Sequence, residues 1–202
     1  MSHSAEQLQG LLNQSYTMPY GPGKNALLEG APTVRQLLAT IYDRMGQPVA
    51  EVYNRRHAAT SLLYARQPNE AVDALARADA IAATLPADDE RVRWERARLD
   101  FEAAHILWEL SLRSDEYQPT EAAQRAARAA DAALPLGSPG AAAESRLLQA
   151  QILLDVQPSE AEAVVRQALD LLPDEADREE YLQVLELARR AAGRGDEAED
   201  GP

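Results

Sequence analysis

Apolar and polar positions alternate with a helical period along almost the whole chain. Leu27, Ala31, Val34, Leu38, Ile41 and Met45 follow one another at steps of four and three, which predicts one helix over about 24–45. Gly30 and Pro32 fall inside it. Pro32 has no N–H to donate and its ring crowds the carbonyl four residues back, so it is expected to kink this helix or split it. Gly46 then suits the C-terminal cap. Ahead of this, Leu8, Leu11 and Leu12 give one face to a short helix at about 4–16, closed by a turn at Met18–Gly23. Beyond it, helices are predicted at about 48–66, 69–84, 88–113, 120–133, 139–156, 159–171 and 175–192.

The stretch from Asp88 to Arg113 differs from the others. It runs for 26 residues without Gly or Pro and holds both tryptophans, Trp94 and Trp108, and the only phenylalanine, Phe101. These three are seven apart and share one stripe, while Val92, Leu99, Ala103, Ile106 and Leu110 form a second apolar stripe opposite. A surface helix needs one such stripe. Two imply cover on both sides, or cover on one side and a partner on the other.

A five-residue signature occurs three times, at Gln67-Pro68-Asn69-Glu70-Ala71, Gln118-Pro119-Thr120-Glu121-Ala122 and Gln157-Pro158-Ser159-Glu160-Ala161. Asn69, Thr120 and Ser159 are expected to cap the helices that follow, with Glu162 at capping-box spacing from Ser159. Each of these helices is expected to stop at a Leu-Pro, at Leu85-Pro86, Leu134-Pro135 and Leu172-Pro173. A helix that starts and stops alike three times, each time preceded by another helix, makes the repeating unit a helical hairpin. Stacked hairpins make a solenoid.

Here the sequence resembles the tetratricopeptide repeat family. The second helix of that family's hairpin has Ala, a large residue, Ala and Pro at fixed spacing, matched by Ala161, Val165, Ala168 and Pro173. Ala123, Ala127, Ala130 and Pro135 keep the spacing with a small second residue; Ala71, Leu75 and Ala78 fit, with Pro86 a turn late. The first-helix positions depart from the family, reading Arg55, Ala58, Ala59 and Leu62, and the signatures are spaced 51 and 39 residues apart. The resemblance therefore implies a degenerate member: all-α, a right-handed array of antiparallel hairpins clearest over 48–173, capped by 174–192. One domain over 1–192 with a disordered acidic tail at 193–202 is expected.

Composition supports the helical reading. Ala, Leu, Glu, Arg and Gln dominate, and aromatic residues make up 5%. The net charge of −13 argues against a nucleic-acid partner, which needs a basic surface. Acidity is also what keeps a helical protein soluble, with a basic partner, or mimicry of a nucleic acid, as the sharper alternatives. With no cysteine there is neither a disulfide framework nor a thiolate metal site. No signal peptide or membrane-spanning run is visible, so a cytoplasmic setting is expected.

Candidate chemistry is sparse. Glu102 and His105 have the spacing of a di-iron ligand pair but lack a second such pair, and Gly21-Pro22-Gly23-Lys24 lacks the flanking residues of a phosphate loop. No metal, cofactor or catalytic role is expected. With Lys24 as its only lysine, the chain cannot form the family's clamp on a terminal carboxylate. What the resemblance implies is a peptide-binding groove on the first helices of the hairpins. Its positions fall on Tyr53, Arg56, Thr60 and Tyr64, then on His105 and Trp108, with Trp94 and Phe101 on the same stripe. The expectation is a non-enzymatic protein- or peptide-binding scaffold. The alternatives are a structural homo-oligomer or a metal-binding helical-bundle enzyme, and for the stripe itself, ordinary core.

Overall fold

The structure, a computed structural model, describes residues 5–10, 12, 22–172 and 178–193. Every element among these is helical: α1 (Pro22–Arg44), α2 (Pro48–Tyr64), α3 (Pro68–Thr84), α4 (Glu90–Ser111), α5 (Pro119–Ala133), a 3-10 turn (Leu134–Leu136), α6 (Pro139–Leu153), α7 (Pro158–Leu171) and α8 (Glu179–Ala191). Residues 5–10 and 12 are helical too. Most of the turn expected at Met18–Gly23, the end of the first helix, the start of the last one and the acidic tail beyond Gly193 lie outside the described residues. Pro22 and Gly23 already belong to α1, and Pro32 sits within that helix without dividing it. No helix among the described residues is long and apolar enough to cross a membrane.

The helix starts correct the expected caps. At all three signatures Pro is the first helical residue and Gln67, Gln118 or Gln157 is the cap, with no side-chain cap bond. Asn69, Thr120 and Ser159 thus lie one position inside the helix. Pro wins this register because its fixed φ matches the helix and its missing N–H is one the first turn cannot pair anyway. The capping box at Ser159 is likewise not formed. Glu162 is buried and instead accepts from Arg166 at 2.8 Å and from Arg189 of α8 at 3.5 Å. A side-chain cap does appear at α4, where Asp89 accepts from the N–H groups of Arg91 (2.8 Å) and Val92 (3.4 Å).

Three joints share one construction. At Gly46-Gln47-Pro48, Arg66-Gln67-Pro68 and Gly137-Ser138-Pro139 the first residue is left-handed, with φ of 64°, 60° and 72°. The second donates its N–H back five residues: Gln47 to Tyr42 O (2.9 Å), Gln67 to Leu62 O (2.9 Å) and Ser138 to Ala133 O (3.2 Å). That closes a Schellman motif. The carbonyl of the same residue opens the next helix, accepting from Glu51, Ala71 or Ala142 at 3.1 Å in each case. One residue ends one helix and begins the next, so the chain turns back sharply and consecutive helices pack together. Leu85 and Leu172 stop α3 and α7 in extended conformation, as a residue before proline should, whereas Leu134 stays helical and leads into the 3-10 turn.

Two compact units result, Met1–Glu95 and Arg96–Pro202, and the division falls inside α4. In the first, α1 packs on α2 and α2 on α3, with Leu38, Val52, Leu62, Leu75 and Ala78 buried. In the second, α5 packs on α6, α6 on α7 and α7 on α8. Its core joins Leu107, Leu148, Ile152, Val165, Tyr181 and Leu185 to many alanines, and every buried residue of α5 is alanine. Residues 96–202 hold 22 of the 33 acidic and 11 of the 20 basic side chains, a balance of −11, leaving −2 for residues 1–95.

Candidate binding grooves

The second unit has a groove of about 550 Å³ walled by α4, α6 and α8, a volume in the usual range for ligand pockets. Phe101 and His105 come from α4, Leu147, Leu148, Glu144 and Gln151 from α6, and Glu180 and Tyr181 from α8. The helical period places these residues together. Glu144, Leu147, Leu148 and Gln151 recur at steps of three, one and three, along one flank of α6. The floor is apolar, with Leu147, Leu148, Leu172 and Tyr181 buried and Phe101 half-buried. Polar groups sit on the rim: Glu144 and Glu180 are exposed, and Gln151 donates to Glu180 at 3.5 Å. Gly140 lines one edge, and nothing lies within 4 Å of where its Cβ would be.

Behind this groove α4 is fastened to α5. Asp100 accepts from Arg125 and Arg128, both at 2.9 Å. Trp108 is half-buried, packs on the second unit's core and meets the His105 ring edge-on, with centroids 6.4 Å apart. The aromatic stripe is thus partly covered at all three positions. The stripe opposite it, Val92, Leu99, Ala103, Ile106 and Leu110, is fully buried.

The first unit has its own cleft, about 710 Å³, bordered by Gln9, Tyr42, the first turns of α2 with Tyr53 and Asn54, and Asp89, Arg91 and Glu95. Tyr53 carries two guanidiniums near its ring, Arg35 at 5.5 Å and Arg56 at 5.3 Å, and the His57 ring packs edge-on at 4.5 Å. Arg56 is buried and bonded to Glu95 at 3.3 Å. Arg35 is buried too and donates to the amide oxygens of Gln9 (3.4 Å) and Asn54 (3.2 Å). A smaller hollow of about 330 Å³ lies among Arg55, Arg77, Glu70 and Asp73, where charges of both signs meet.

The residues expected to line a groove therefore divide. Phe101 and His105 meet in the second unit's groove, with Trp108 beside them at the edge of the core. Tyr53 lines the first unit's cleft with Arg56 against its ring. Thr60 donates to Arg56 O at 3.5 Å along its own helix, and Tyr64 is 75% exposed at the end of α2. Trp94 is half-buried and lines neither of these hollows. Glu144, Leu147, Leu148, Gln151 and Tyr181 went unrecognised in the sequence. Carrying His105 and Trp108 on by 39 residues, the spacing of the last two signatures, reaches Glu144 and Leu147, whereas Leu148, Gln151 and Tyr181 carry no such signal.

Among the described residues no group of three or more His, Asp or Glu side chains stands together as a metal site. No protein-family model, curated protein or solved structure matches the chain.

Proposed function

We propose that this chain is an interaction module without a chemical step, a degenerate helical-repeat protein of the tetratricopeptide kind. In this reading it binds a segment of another protein in the groove of α4, α6 and α8. One observation carries the reading: in the second unit, alternate helices (α4, α6 and α8) contribute to a single groove with an apolar floor and a polar rim. That is the arrangement by which hairpin arrays hold peptides, the apolar floor supplying affinity and the rim orientation. Phe101 is the anchor from α4 and Tyr181 the anchor from α8.

Gly140 provides the test, because a Cβ there meets nothing within 4 Å, so a large side chain can project from this position at the groove edge. Peptides selected from a random display library against the wild-type chain should bind Gly140→Trp at least about tenfold more weakly, a loss of roughly 1.4 kcal/mol. The Tm should not fall, since a helical glycine is replaced by a better helix former. Equal binding by Gly140→Trp would remove the groove as the site. Failure to enrich any peptide would remove the reading itself.

A further inference from the structure

We infer that the occupant of this groove is a cationic segment, an apolar anchor flanked by lysine or arginine. The inference rests on the groove reading above and adds the charge of the partner. Its basis is a mismatch within the second unit between charges that are satisfied and charges that are not.

The arginines of α5 to α8 are matched by carboxylates. Arg125 and Arg128 share Asp100, Arg166 and Arg189 share Glu162, and Arg146 pairs with Asp131. None of them lines the groove, and among the described residues its lining includes no lysine or arginine. Glu144 and Glu180, on its rim, pair with no cation among the described residues. The amide of Gln151 is the hydrogen-bond partner of Glu180. Two unmatched carboxylates therefore border an apolar floor, in a unit whose overall balance is −11.

That field attracts a cation before contact and repels an acidic segment, which sets on-rate and selectivity more than final affinity. At the site the two carboxylates each have an open position for an ammonium or guanidinium, and the leucines and aromatics between them receive the anchor. A neutral apolar peptide would fill the floor and leave both carboxylates unmatched.

Four labelled peptides of one design test this by fluorescence anisotropy: leucine anchors with flanking lysines, the same with glutamines, the same with glutamates, and lysines with serine in place of leucine. The lysine–leucine peptide should bind best, the glutamine version about tenfold more weakly, and the glutamate version not at all. The lysine–serine version should bind far more weakly than its leucine parent. The double variant Glu144→Gln/Glu180→Gln should lose about tenfold for the lysine–leucine peptide and nothing for the glutamine one. Asp155→Asn/Glu160→Gln removes the same charge from exposed positions outside the lining and should change binding less than about twofold. Equal affinity for the lysine and glutamine peptides, or an equal loss in the two double variants, would overturn the charge assignment and leave the groove standing. Binding of the lysine–leucine peptide that Gly140→Trp does not weaken would instead sink the groove reading.

Discussion

Arg66 holds a left-handed backbone, φ 60°, at a joint where the two equivalent positions are glycines. A side chain with a Cβ pays roughly 1–2 kcal/mol there, because the Cβ crowds the following carbonyl. The hydrogen bonds of the joint hold it in place: Arg66 N–H to Leu63 O at 3.0 Å and Gln67 N–H to Leu62 O at 2.9 Å. Arg66→Gly is therefore expected to stabilise the chain by about 0.5–1 kcal/mol, after the added unfolded-state entropy of glycine is subtracted. Urea titration reads this directly; a lower midpoint for the variant would show that the Arg66 side chain contributes more than its backbone costs. The left-handed position could not be foreseen, because arginine carries no turn signal. Gly46 could be, and its φ of 64° agrees with the cap expected of it.

At the scale of elements, α4 and α5 are joined by a charge cluster on one carboxylate. The Asp100 side chain is 19% exposed, as is Arg125, while Arg128 is 54% exposed. This lies between a surface pair and a buried one, so Asp100→Asn should cost about 1–2 kcal/mol. Asp131→Asn, at a carboxylate 67% exposed, should stay within about 0.5 kcal/mol. Chemical denaturation of both variants checks the contrast, and equal costs would refute it. Element positions were legible because period and proline act locally: α3, α5 and α7 begin one residue from where the signatures put them. The cap register was not legible, since proline and a good capping residue compete within three positions and the sequence does not rank them. The groove was half legible. Phe101 stood out in the aromatic stripe and His105 at a groove position implied by the resemblance, but their companions on α6 and α8 lie some forty to eighty residues further on, most of them marked only by which face is apolar.

Across the whole molecule the charge is unevenly shared, −11 on residues 96–202 and −2 on residues 1–95. Self-repulsion opposes compactness, and salt relieves it. Raising NaCl from roughly 0.05 to 0.5 M should raise the Tm by about 2–4 °C, the equivalent of about 1 kcal/mol. Amide exchange should slow more within 96–193 than within 30–95, and equal slowing in both would show that repulsion in the second unit is not the cause. The same salt weakens a cationic ligand, so stability and affinity should move in opposite directions. The joints at Gln47, Gln67 and Ser138 have a different consequence, one for how such a chain can vary over time. Each uses one residue to finish a helix and start the next. An insertion or deletion of a single residue there would undo the left-handed closure or push the proline out of its place. Among the described connections, changes of length are more tolerable where the chain has slack, as between Leu85 and Asp89 and between Leu112 and Gln118. Descendants of this chain would therefore differ in length at those two stretches and keep the three joints residue for residue.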